Sequence, residues 1–133
     1  MAVFNKYEVG LGNVGSYQVS ARPWVKSSLA VPASASATFT EVTFPSVSKF
    51  VVIRNDEADA SLMRVAFSSN GLKDSNDNYF TLSGSESFSA DFKITKLYLM
   101  SDSATPTSAS VIAGLTGITA SRLSGSWDGL DGV

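Results

Sequence analysis

The chain has 133 residues, 44% hydrophobic and 17% charged, with a formal net charge of −2 and neither cysteine nor histidine. That composition fits one folded domain, not a disordered chain, and it offers no basic field for a phosphate backbone, so nucleic-acid binding is not expected. Without Cys or His, disulfides, thiol nucleophiles, Ser/His/Asp triads and imidazole or thiolate metal sites are unavailable.

The opening Met1-Ala-Val-Phe-Asn-Lys-Tyr-Glu8 has neither the basic leader nor the apolar stretch of a secretory signal. No apolar run approaches the roughly 20 residues of a membrane span. The expectation is a protein made in the cytoplasm that does not enter a membrane. Gly10-Leu-Gly-Asn-Val-Gly15 matches the glycine spacing of dinucleotide-binding turns, but that chemistry needs a helix N-terminus after the glycines. The next segment, Ser16–Pro23, is strand-like and ends in proline, so the glycines read as a flexible arm.

From there the apolar period stays near two. Gly15–Ser20 and Trp24–Val31 read as strands, the second stopped by Pro32. Ala37–Phe44 alternates cleanly and ends at Pro45, which predicts a half-buried strand. Ser48–Asn55 is more continuously apolar and suits a central position. Ser61–Ser68 runs into Asn70-Gly71, a dipeptide that tolerates positive φ and predicts a tight turn, lengthened into a loop by Lys73–Asn78. Tyr79–Leu82 and Glu86–Phe92 flank Ser83-Gly84-Ser85 as a predicted hairpin, and Lys93–Ser101 and Ser108–Thr116 complete about nine strands. Thr116–Val133 has no sheet or helix period and reads as a tail that packs on something. The fold class is therefore all-β, a two-sheet antiparallel sandwich. Jelly-roll topology is favoured and an immunoglobulin-like one is the alternative. The organisation is an N-terminal arm over 1–15, a sandwich over 16–116 and a C-terminal arm over 117–133.

Carboxylates gather in three turns: Asn55-Asp-Glu-Ala-Asp59, Asp74-Ser-Asn-Asp-Asn78 and Asp128-Gly-Leu-Asp131. None provides a full twelve-position calcium loop, and Asx-rich turns are ordinarily explained by hydrogen bonds to the local backbone. No carboxylate pair or Ser–Lys pair is placed for hydrolysis, so neither an enzyme nor a cofactor is expected and no catalytic or metal residue is assigned.

Phe39, Phe44, Phe50, Phe67, Phe80, Phe88, Phe92 and Tyr98 fall on strands and read as core or half-core. Tyr7, Tyr17, Trp24 and Trp127 lie in or beside the glycine-rich ends, where large amphipathic rings suit protein–protein contacts. With Phe4, Leu123 and Leu130 they form the candidate interface set.

Val14-Gly-Ser-Tyr-Gln-Val-Ser-Ala-Arg-Pro-Trp-Val-Lys-Ser-Ser28, Phe44-Pro-Ser-Val-Ser-Lys-Phe-Val-Val-Ile-Arg-Asn55, Leu62–Gly71, Ser87–Leu99 and Ala109–Ile118 together resemble small capsid accessory proteins of phages and large aquatic double-stranded DNA viruses. That resemblance implies a decoration, cement or vertex protein of the virion with a jelly-roll-like fold. Its partners would be the major capsid protein and copies of itself. It carries no active-site residues across. The competing expectation is a receptor- or carbohydrate-binding sandwich of a viral appendage, with a glycan on Tyr79 or Trp24.

Overall fold

In the computed structural model, residues 21–34, 38–57, 62–73, 78–123 and 133 are described. They form eight strands: β1 (Arg22–Val31), β2 (Thr40–Thr43), β3 (Ser46–Asn55), β4 (Met63–Ala66), β5 (Phe80–Leu82), β6 (Ser87–Ala90), β7 (Lys96–Ser101) and β8 (Thr107–Thr119). Two short 3₁₀ turns, Asn70–Leu72 and Ala120–Arg122, also lie among these residues. The predicted strand Gly15–Ser20 lies outside the described residues.

Two four-stranded antiparallel sheets run in the orders β1-β8-β3-β6 and β2-β7-β4-β5. The first strand pairs with the eighth, the second with the seventh, the third with the sixth and the fourth with the fifth, alternating between the sheets. That is the result of folding one long antiparallel ribbon at β4–β5 and rolling it around a core. The wrap then adds the β3–β8 and β4–β7 neighbours. The topology is a jelly roll. An immunoglobulin-like order would keep the first two strands side by side, whereas β1 and β2 lie in opposite sheets.

Alternation sends one side chain of each pair inward. Val31, Val51, Ile53, Met63, Val65, Leu97, Leu99 and Val111 are fully buried between the sheets, and Phe44 caps them. Each such side chain contributes roughly 1.5–3 kcal/mol by leaving water. Polar groups taken inside are bonded: Ser48 Oγ donates to the Phe92 carbonyl at 2.5 Å and accepts the Ile94 N–H at 3.1 Å.

β3 and β8 occupy the middle of their sheet, as the apolar Ser48–Asn55 run predicts. The hairpin predicted over Tyr79–Phe92 does not form as one. Its turn is present, with the Glu86 N–H on the Ser83 carbonyl at 3.0 Å and Ser85 at φ 64°. But β5 pairs with β4 and β6 with β3. Asn55 holds this turn at the sandwich corner: the Ser85 N–H reaches the Asn55 carbonyl at 2.9 Å, and Asn55 Nδ2 donates to the Leu82 carbonyl at 3.0 Å. Asn70-Gly71 opens a 3₁₀ turn instead of a hairpin turn. Gly71 is required there by space, because a Cβ would stand 2.8 Å from the Asn78 carbonyl oxygen. β8 also runs past Thr116 to Thr119 and buries Ile118.

Candidate functional site

The sandwich presents two outer faces of different chemistry. On the β1-β8-β3-β6 sheet, Ala113 and Val111 point inward, so their neighbours Ile112 and Gly114 point out. Register places Val25, Ile112 and Val52 in one row across β1, β8 and β3, with Pro23, Gly114 and Phe50 in the next. Val25 is 65% exposed and Ile112 44%. Gly114 leaves room for the Phe50 ring, which a Cβ would strike. Ser110, Ser87 and Ser89 continue the outward pattern, and Arg54 brings a charge into it. Arg54 is answered by Asp56 at 3.6 Å, whose other oxygen accepts from Ser110 at 2.5 Å. An antiparallel face left to water normally alternates to polar residues; this one carries a row of valine and isoleucine.

Among the described residues, the β1 edge of the same sheet is guarded. β1 carries Pro23 and Lys26, and its register slips between Lys26 and Leu29 around Ser28 at φ 55°. Proline, lysine and a bulge are the usual devices against edge-to-edge pairing.

The β2-β7-β4-β5 sheet turns Glu41, Lys96, Tyr98, Met100, Arg64 and Ala66 outward. Lys96 Nζ lies 3.2 Å from Glu41, whose hydrogen bond and charge raise the lysine above its ordinary pKa. That attraction is complete at neutral pH and is lost as the pH climbs through the raised value. Segment 67–73 folds over part of the face, burying Leu72 on Ala66 and Met100. Arg64 is the pin: its Nε and Nη2 reach Asp102 Oδ1 at 2.5 Å, Nη1 donates to the Leu72 carbonyl at 3.0 Å, and the guanidinium stands 4.5 Å over the Tyr79 ring. Beside it opens a cavity of about 460 Å³ bordered by Phe39, Leu72 and Met100 with Ser34, Ser69 and Lys73.

Of the candidate interface residues, Phe4, Tyr7, Tyr17, Trp127 and Leu130 lie outside the described residues. Trp24 points inward opposite Ala113 and packs edge-on against Phe44, with centroids 5.0 Å apart, so its ring belongs largely to the sandwich's own packing. Leu123 is half-buried just after the Ala120–Arg122 turn. Tyr79, the other ring on which a sugar was expected, has its face covered by Arg64. Among the aromatics assigned to the core, Phe44 is buried and Phe67, Phe80 and Phe88 pack against it, but Phe39, Phe50 and Tyr98 belong to the outer faces. A period of two does not say which phase faces inward until the sheets are paired.

Among the described residues no three acidic side chains converge for a metal ion. Asp56 and Glu57 accept from Ser110 and Ser108; Asp59, Asp74, Asp128, Asp131 and the Gly10–Gly15 motif lie outside those residues. The outer apolar row was legible in one respect: Trp24-Val25, Val51-Val52-Ile53 and Val111-Ile112-Ala113 are runs without a polar break, and on a strand such a run puts an apolar side chain on each face.

The described residues form a jelly roll of two four-stranded sheets, with one outer sheet face poor in charge. No protein-family model, curated protein or solved structure matches the chain.

Proposed function

We propose that the protein is a structural component of a virus particle, a capsid accessory protein of the decoration, cement or vertex kind that seats its β1-β8-β3-β6 face on the shell. The observation that carries this reading is the outward row Val25–Ile112–Val52, on a face where the Arg54 charge is already paired. Depletion of charge at the centre of a surface is the compositional mark of a protein interface. Proline, lysine and the register slip on β1 disfavour strand addition at that edge, which leaves the face as the contact surface of this reading.

The other chemistries carried by jelly rolls fit less well. Cupin-type metal sites draw on histidine, which the chain lacks. The space between the sheets is filled by Val, Leu, Ile and Met, and the cavity beside Arg64 opens on the outside.

The test is incorporation into particles. Mass spectrometry of purified virions should find the chain in stoichiometric amounts. Ile112→Asp, placed on a 44% exposed site, should leave circular dichroism unchanged and remove the chain from particles. Deleting residues 2–15 should do the same. A chain missing from virions, or an Ile112→Asp variant that assembles normally, defeats the reading.

A further inference from the structure

We infer that the cavity on the β2-β7-β4-β5 face, on the far side of the sandwich from Val25 and Ile112, is a binding site for a pyranose residue of a glycan. Its size falls within the roughly 300–1,000 Å³ of small-ligand sites. Its shape and lining select among ligands. One side is apolar: Phe39 is 42% exposed, held edge-on against Tyr98 with centroids 5.5 Å apart, and Leu72 and Met100 continue the surface. The other side is polar: Ser34, Ser69 and Lys73, with Arg64 beside them.

A pyranose ring has the matching two-sidedness. One face presents C–H groups that lie on an aromatic ring, and the rim presents hydroxyls that exchange hydrogen bonds with serine and lysine. A purely apolar ligand would use only the apolar side and gain nothing from Ser69 and Lys73. A strongly anionic one would find a single available cation among the described lining residues, because Arg64 is committed to Asp102, the Leu72 carbonyl and Tyr79. Lys73 has no ion pair among the described residues, so it can serve a ring hydroxyl or a sugar carboxylate.

Arg64 works as a positioning residue. It clamps segment 67–73 through the Leu72 carbonyl and sets Ser69 and Lys73 at the rim. The site is thus preformed, as low-affinity sugar sites must be if ordering costs are not to consume the binding energy.

This inference stands apart from the capsid reading, since it uses the opposite face and a different ligand. The experiment presents the purified full-length protein to immobilised glycans with neutral hexose, hexuronate and sialate termini, followed by calorimetric titration of the best binder. Saturable binding is expected. Phe39→Ala should weaken it about three- to tenfold, the range of one aromatic contact. Ser69→Trp, which fills the cavity, should abolish it. Ile112→Asp should bind as the parent does, whatever it does to particle incorporation. Matching thermal midpoints show that each variant is folded. No saturable binding to any terminus, or full binding by Ser69→Trp, overturns the site.

Discussion

Asn55 has no exposed surface, yet among the described residues three partners depend on its side chain: it donates to the Leu82 carbonyl at 3.0 Å, accepts the Thr107 hydroxyl at 2.9 Å and accepts the Glu57 N–H at 3.2 Å. One amide therefore ties the ends of β3, β5 and β8 together. Asn55→Leu would remove all three bonds and leave the Leu82 carbonyl and Thr107 hydroxyl unpaired in the interior. Since an orphaned buried polar group costs about 1–3 kcal/mol, the variant should lose on the order of 2–5 kcal/mol in urea unfolding. A loss below about 0.5 kcal/mol would show that the corner holds without Asn55. Arg64 differs in kind. Its side chain is only 10% exposed, and its charge is compensated by Asp102, so the pair fixes geometry more than it adds stability.

At the scale of elements, the strand segments other than Gly15–Ser20 were legible because each carries its own alternation or apolar run, bounded by Pro32, Pro45 or a Ser/Gly cluster. Their partners were not. Ser83-Gly84-Ser85 has hairpin chemistry, but β5 pairs with β4 and β6 with β3, and those long-range pairings put the two strands in different sheets. The site was less legible than the strands for the same reason: Phe39 reads as core until β2 is registered against β7, when it proves to pack edge-on against Tyr98 outside. Turn chemistry at Ser85 also leaves a measurable trace. It adopts φ 64°, a left-handed conformation that a Cβ disfavours by about 1–2 kcal/mol. Ser85→Gly should therefore stabilise the protein by roughly 0.5–1 kcal/mol after the entropy of the unfolded glycine is subtracted. A lowered urea midpoint would instead assign weight to the Ser85 hydroxyl, which reaches the Glu57 carbonyl at 3.4 Å.

For the whole molecule, the rolled ribbon orders the sheet pairings by chain separation. Met63 faces Leu82, Val52 faces Ser89, Val42 faces Leu97 and Val25 faces Ile112, each pair farther apart in sequence than the last. Loop closure is least costly for the innermost pair, and each pairing shortens the loop that the next must close. The β4–β5 end should therefore be structured early, and β1 should dock last. Folding should be slow for the chain length, in milliseconds to seconds, because the contacts are mostly non-local. Two equally buried valines test the order: Val65 on β4 and Val31 on β1, both 0% exposed. Each Val→Ala change should cost about 1–3 kcal/mol at equilibrium, enough for a reliable kinetic ratio. Val65→Ala should mainly slow refolding, whereas Val31→Ala should leave refolding nearly unchanged and speed unfolding. The reverse assignment would mean that closure of β1 on β8 initiates the roll, which would also place the Val25–Ile112 row among the first surfaces to form.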